Sequence, residues 1–551
     1  LERLPLSPNG KIDRRALPAP DANASVRSSA FQAPRDAREE KLAAIWREVL
    51  QVARIGIDDN FFELGGHSLK AMQVVTRVQQ AFGVRPGLRE FFAAPTIAGL
   101  ARLVATSGRR EATATIPPAA AQADYPLSYA QQRLWLLHHL GGAAAYNMPE
   151  AYVLESPVDA GRLERAFQQL IARHEALRTA FVVKDGEPRQ RILAEVPFAL
   201  QRGDLRADPE PETAARAWAE REAATPFDLA RPPLLRGTLL ALGGGRSAFL
   251  FTMHHVVGDG WSGNVLYREL FALYAAEPLP PLRIHYKDFA VWQKAQDFSR
   301  DEAYWVRQLA GAPEALALPY DFPAQAERDF RGDIERGAID AGTLQGLRQL
   351  ARGRRTTVAN VVLALFKLVL FQVTKQEDIC LGVSIANRGH PELENLIGFF
   401  VNLLPVRTRL SETMEFDELL GQVAAAAEEA FEHQEFPFDR LVQTVNPQRA
   451  GNRQPLVNVI YGYQNFADVH VDIGREARKP AADGDALVAR PLAQGYRTSK
   501  FDLTLFVGEE DGQLALTLEY DTGLFRAATA RRYVTLLQRF AGLAANPGPS
   551  T

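Results

Sequence analysis

The 551-residue sequence has one cysteine, Cys380, and four methionines. A single thiol excludes an intramolecular disulfide and any cysteine-rich metal site. A reducing, cytoplasmic setting is the expectation that fits it. Charge of one sign is also missing: 63 Lys and Arg stand against 66 Asp and Glu, a formal net charge of −3. That balance leaves no electrostatic footprint for nucleic acid or an anionic membrane surface, and neither is expected as a partner. No apolar run is long enough to cross a bilayer. The opening Leu1-Glu2-Arg3-Leu4-Pro5 is neither a signal peptide nor an initiator methionine, and reads as the interior of a longer polypeptide.

What is present is ordinary soluble material, 46% hydrophobic and 23% charged. Its length suggests roughly two to four domains. Two stretches read as linkers. Residues 18–35 are rich in Pro, Ala, Ser and Asn, and residues 106–124 are small and polar around Pro117-Pro118. Neither could bury enough apolar area to offset the entropy of ordering it. Between them lies a small helical block. Leu42, Ile45, Trp46, Val49 and Leu50 follow a one-faced helical spacing, Leu69, Met72, Val75 and Val78 repeat it, and Ile97, Leu100 and Val104 suggest a last short helix. The remaining chain mixes strand-like segments (Ala248 to Met253, Leu503 to Val507) with helical ones (Leu163 to His174, Thr357 to Val373), an α/β pattern in more than one lobe. Cys380, within Asp378-Ile379-Cys380-Leu381-Gly382, reads as a buried strand residue.

Two places carry chemistry. Ser68 follows Gly65-Gly66-His67 and precedes an amphipathic helix. On position alone it is either a helix cap or an exposed hydroxyl at a helix N-terminus, where an attached phosphate would meet free N–H groups. The second place is Met253-His254-His255-Val256-Val257-Gly258-Asp259-Gly260-Trp261-Ser262. An apolar strand ends, two histidines follow, Asp259-Gly260 turns the chain, and Ser262 is expected to cap the next helix. Neighbouring strand residues face opposite sides, so one histidine is expected to be structural and the other to reach a cleft as a neutral base. Zinc is not expected, because no Cys or further His stands at ligand spacing.

Longer motifs decide between these readings. Asp59-Asn60-Phe61-Phe62-Glu63-Leu64-Gly65-Gly66-His67-Ser68-Leu69 closely resembles the attachment motif of thiolation (peptidyl carrier) domains. The resemblance implies that Ser68 carries 4′-phosphopantetheine, installed by a phosphopantetheinyl transferase, and that Leu69 and Met72 are candidate carrier docking contacts or plain bundle core. Ahead of it, Leu4-Pro5-Leu6-Ser7-Pro8-Asn9-Gly10-Lys11-Ile12-Asp13 resembles the last motif of an adenylation domain, with Lys11 at the position that reaches the acyl-adenylate. His254-His255 followed by Asp259-Gly260 resembles the signature of nonribosomal peptide condensation domains, relatives of chloramphenicol acetyltransferase. Further family motifs recur in order: Ser128-Tyr129-Ala130-Gln131-Gln132-Arg133, Arg173-His174-Glu175, Tyr286-Lys287-Asp288-Phe289, Ile397-Gly398-Phe399-Phe400 and His433-Gln434-Glu435-Phe436.

The resemblance implies a small four-helix-bundle carrier, then a condensation domain of two acetyltransferase-like lobes in a V with a tunnel between them. The expected division is an adenylation remnant at 1–20, a linker at 21–35, the carrier at 36–105, a linker at 106–124, and lobes at 125–300 and 301–551. His255 is implied to be catalytic, in a motif completed by His254, Asp259 and Gly260. Asp259 is expected to pair with Arg388, and Gly260 to leave room for substrates. An upstream adenylation domain in cis and a downstream aminoacyl carrier are the implied partners, and the absence of an epimerase implies an L-configured donor. His138-His139-Leu140 resembles the start of the extra histidine motif of dual epimerising domains, but its Gly-Asp is missing and the match is set aside. Asn452 to Asn465 and Thr498-Ser499-Lys500-Phe501-Asp502 resemble condensation domains acting on modified residues, some of which dehydrate a Ser or Thr donor. A noncatalytic recruitment platform is a further alternative, opposed by the intact histidine motif.

Overall fold

A computed structural model describes residues 31–106 and 115–546, apart from 67, 85, 88–89, 92–93, 326, 446–455, 464–488, 493–494, 496 and 511. The side chains of Ser68, Leu69 and Met72 also lie outside the described set, as does Lys11. The chain divides between Thr113 and Ala114 into two compact units.

In the first unit, helix α1 (Ala37–Leu50) starts where the Asp36 carboxylate accepts the Glu39 N–H at 2.8 Å. Its stripe of Leu42, Ile45, Trp46, Val49 and Leu50 is buried, as the spacing predicts. Helices α2 (Ser68–Phe82) and α3 (Ile97–Thr106) bury Val74, Val75 and Val78, and Ile97, Leu100 and Val104. Phe91 N–H donates to Gly87 O (3.0 Å) and Ala94 N–H to Glu90 O (3.2 Å). Trp46, Phe61 and Phe91 close the core edge to face, with ring centroids 4.9 to 6.0 Å apart.

The second unit holds three sheets. In the five-stranded one the spatial order is β12-β2-β7-β6-β5, from β2 (Asn147–Leu154), β5 (Gln201–Asp204), β6 (Leu235–Gly243), β7 (Arg246–His254) and β12 (Ala489–Pro491). The six-stranded order is β10-β9-β11-β13-β14-β8, from β8 (Gly332–Ile339), β9 (Asp378–Ile385), β10 (Asn402–Arg409), β11 (Val459–Tyr463), β13 (Leu503–Glu510) and β14 (Gln513–Asp521). A small sheet joins β1 (Tyr125–Pro126), β4 (Glu187–Ile192) and β3 (Thr179–Lys184). Each large sheet has its own apolar core. The boundary between the cores does not follow chain order: Leu393, Leu396, Ile397, Phe399 and Phe400 pack into the core of the five-stranded sheet, and β12 reaches that sheet's edge.

Residues 115–124, part of the stretch read as a linker, are fastened to the second unit. Ile116 is fully buried, its N–H donates to Glu392 Oε2 (3.1 Å), and Ala119 N–H donates to Asp288 Oδ1 (2.8 Å). Cys380 lies in β9, buried as expected, and burial pushes its thiol up to about 11. Among the described residues no single helix is long and apolar enough to cross a membrane.

Candidate active site

Strand β7 runs through the five-stranded sheet with β2 and β6 on its flanks, and seven of its nine residues are buried. Its apolar residues fix the strand, and His254, at its end, lies opposite Asn147 of β2. The chain then makes a short 3₁₀ turn, His255–Val257, before helix Gly260–Tyr274. The turn is tied down on several sides. His255 N–H donates to Tyr146 O at 2.8 Å, and Gln131 Nε2 donates to Val256 O at 3.2 Å from the helix Tyr129–Leu137.

The two rings are held in different tautomers. His255 Nδ1 lies 2.8 Å from Gly258 O. A carbonyl only accepts, so Nδ1 carries the proton and Nε2 keeps its lone pair. Nε2 has no hydrogen-bond partner among the described residues. His254 is the reverse: its Nδ1 accepts the Val256 N–H at 3.1 Å, which places the proton of the neutral ring on Nε2. Burial, and then the charge of Lys500, lowers His255 to about 4, so its imidazole is neutral at physiological pH. Burial also holds His254 well below the ordinary histidine value. His255 remains partly exposed, and at the exposed Gly260 of the same motif an added Cβ would meet nothing within 4 Å. The Phe399 ring stands edge-on to His255 at 4.8 Å.

Asp259, not Ser262, caps the helix that follows. Its Oδ1 accepts from Ser262 N–H at 2.8 Å, because an aspartate three residues ahead is the better-placed acceptor. Ser262 instead sits inside the first turn, where its Oγ lies 2.7 Å from Gly398 O and 2.8 Å from Arg388 Nη2. Arg388 Nη2 donates to Asp259 Oδ1 at 3.1 Å, and Phe400 N–H donates to Asp259 Oδ2 at 3.0 Å. Burial lowers the Arg388 guanidinium from its ordinary value, the neighbouring Asp259 charge opposes that shift, and the Phe400 ring lies 4.1 Å from the guanidinium. Ser128, which caps the helix Tyr129–Leu137, bonds Tyr286 OH at 2.8 Å, and that hydroxyl donates to Phe399 O. Motifs far apart in sequence thus meet around one turn.

Of the residues singled out in the sequence, His254, His255, Asp259, Gly260 and Arg388 lie together here. Ser68 is the first residue of α2, after Gly65 at φ +85° and after Gly66, where a Cβ would overlap Phe61. That places residue 68 where a helix N-terminus favours a phosphate. Leu69 and Met72 fall in the first turns of the same helix, with side chains outside the described residues. The sequence reading set His138 aside together with its incomplete motif. Its Nδ1 lies 3.3 Å from His254 Nε2, a contact across 116 residues that the incomplete motif around it hid.

This arrangement defines a condensation domain, and the chain belongs to that family: the family model described as condensation domain matches residues 121–547. Residues 40–104 match the phosphopantetheine attachment site family, so the chain joins the carrier and condensation domains of a nonribosomal peptide synthetase. It is 40% identical over 542 residues to tyrocidine synthase 3 of Brevibacillus parabrevis, and 39% identical over 537 residues to bacitracin synthase 3 of Bacillus licheniformis. Each alignment covers 97% of this chain, which spans only 8% of the length of either relative. The X-domain from teicoplanin biosynthesis, a solved structure, is 25% identical with a TM-score of 0.70, covering 79% of this chain and 98% of that one.

Proposed function

We propose that this chain holds an aminoacyl or peptidyl group on Ser68 and forms the amide bond to a downstream carrier-bound amino acid at His255. The observation that carries the reading is the His255 tautomer: Gly258 O engages Nδ1, which leaves the Nε2 lone pair of a partly exposed residue. The 4′-phosphopantetheine on Ser68 supplies the thiol that holds the acyl group as a thioester. The acceptor amine forms the C–N bond as the C–S bond breaks. His255 Nε2 takes the amine proton or holds the amine by accepting its hydrogen bond, and the proton ends on the leaving thiolate. Asp259 and Arg388 act on the frame, not on the reacting atoms.

In this reading residues 1–20 are the remnant of an upstream adenylation domain, 36–105 the carrier, and 125–300 and 301–551 two chloramphenicol-acetyltransferase-like lobes in a V. The linkers at 21–35 and 106–124 complete it, the second of them fastened to the condensation unit over its residues 115–124. Two large sheets with separate cores support the two lobes. Gly260, where an added Cβ would meet nothing within 4 Å, supports the passage of donor and acceptor. The donor is L-configured, and a phosphopantetheinyl transferase loads the carrier.

The resemblance of Thr498 to Asp502 supports a variant of the same reading, a domain that dehydrates a Ser or Thr donor. Lys500 of that motif adds its charge to the His255 environment. The likeness to the teicoplanin X-domain favours a second reading, a recruitment platform, against which the intact histidine motif weighs.

The test is intact-protein mass spectrometry on holo protein loaded at Ser68 and mixed with an aminoacyl carrier. Wild type transfers the acyl mass, whereas His255→Ala transfers it about a hundred- to ten-thousandfold more slowly. A transferred mass short by one water establishes the dehydrating variant. Complete loading with no transfer by wild type favours the platform.

A further inference from the structure

His138 follows the helix Tyr129–Leu137, in a π-helical turn, His138–Gly142, that bends at Gly141 (φ +95°). Such a turn puts neighbouring residues on different paths, and π-turns gather at functional sites. His139 folds back on its own helix: its Nδ1–H donates to Trp135 O at 2.7 Å and its ring lies 4.2 Å from the indole. His138 turns the other way, half-buried, toward the end of β7. Its ring meets His254 edge-on at 5.2 Å, with Nδ1 3.3 Å from His254 Nε2.

The polarity of this contact follows from what lies beyond it. Val256 N–H occupies His254 Nδ1, so His254 Nε2 bears the proton and His138 Nδ1 must accept it. His254 has no exposed surface. Without His138, its Nε2–H would be a buried donor with no partner, and nothing on that side would keep the ring accepting from Val256. Val256 is the middle residue of the turn that begins with His255.

We propose that His138 is a positioning residue: by accepting from His254 Nε2–H it fixes the His254 tautomer, and through Val256 it fixes the turn that aims His255. The rate effect of this relay rests on the condensation reading, whereas its tautomer effect does not.

The experiment uses the whole carrier–condensation chain as wild type, His138→Leu and His138→Gln. Leucine removes the acceptor, whereas the glutamine amide oxygen replaces it. In histidine-selective 15N spectra, wild type shows His254 protonated at Nε2 and His255 at Nδ1. His138→Leu mixes these tautomers and slows acyl transfer about tenfold, the size expected of one unpartnered buried donor, with the half-saturating acceptor-carrier concentration unchanged. His138→Gln restores the tautomers and brings the rate within about twofold of wild type. The proposal is overturned if His138→Leu keeps wild-type tautomers and rate. It is equally overturned if both variants lose the same activity at unchanged Tm. Were wild type itself inactive, the condensation reading would fall, and the 15N spectra alone would still decide the role of His138.

Discussion

Arg388 donates to Asp259 at 3.1 Å with neither side chain exposed to solvent, and the two lie 129 residues apart in sequence. The pair joins the cap of the helix behind His255 to the loop that carries Phe399 and Phe400. Asp259 also accepts from Ser262 N–H and Phe400 N–H, so its charge is shared among donors from two segments.

Breaking this pair leaves a buried charge without its counter-charge. Arg388→Met is expected to destabilise the condensation domain by about 3 to 5 kcal/mol. Combining it with Asp259→Asn should cost less than the sum of the two single changes. Urea midpoints of the two singles and the double measure this. A wild-type midpoint for Arg388→Met would contradict it.

Acid dependence follows from His255. With its value lowered to about 4, the imidazole stays neutral down to that pH, and no histidine limb near 6.5 is expected in the rate profile. An acid limb between pH 6 and 8 should track the ammonium of the acceptor amine instead. Transfer rates with acceptors of different amine basicity, across pH 5 to 9, separate the two. The same shift affects stability. An unfolded chain takes a proton on this ring below about 6.5 and the folded one only near 4, so stability falls as pH drops through that window.

Two glycines of the site should differ in whether a side chain costs stability as well as activity. A Cβ at Gly260 meets nothing within 4 Å, so Gly260→Leu should change stability by no more than about 0.5 kcal/mol while obstructing acyl transfer. Equal loss of stability and activity would sink this reading of Gly260.

At Gly398 a Cβ would overlap the buried Tyr286 ring, whose hydroxyl holds Phe399 against His255. Gly398→Ala should therefore cost about 1 to 3 kcal/mol and reduce activity together. Thermal unfolding and transfer assays on the same preparation check it.

Lys367 offers a pH test remote from the site. It is fully buried, donates to Val406 O and Thr408 Oγ1 at 2.8 Å each, and burial lowers it to about 7. Between about 7 and 10.5 the unfolded chain binds this proton and the folded one has lost it, so stability rises with pH. Cys380, pushed up to about 11, works the other way above pH 9. The rise is therefore cleanest from about pH 7 to 9, and Lys367→Met should abolish it. Denaturant midpoints across that range provide the measurement.

Local elements were legible in the sequence because their signals are local. The stripe Leu42 to Leu50 falls inside Ala37–Leu50, the Thr357 to Val373 pattern is the helix Val358–Thr374, and Ala248 to Met253 lies within β7. The core of the site was legible through motif order. The cap at Asp259 was misplaced onto Ser262, because serine and aspartate share the same cap preference and only the fold shows which carboxylate meets which N–H. His138 was noticed and set aside, and its contact with His254 was illegible for another reason: the partner is 116 residues away, and a lone acceptor leaves no periodic trace. The packing of residues 393–400 and of β12 onto the five-stranded sheet was illegible too, since pairing at such separation has no sequence period.

Strand β12 has a consequence for how the protein is made. It closes the outer edge of β2, where Ala489 pairs with Leu154 and Pro491 with Tyr152, and Arg490 reaches Glu155, 335 residues earlier. A ribosome adding 5 to 20 residues per second needs about 15 to 70 seconds to cover that distance. For all of that time this edge of β2 is unprotected, ready to pair with a neighbouring chain. Pauses in translation between these points would lengthen the exposure, so the yield of soluble protein should depend on codon choice there as well as on the amino-acid sequence.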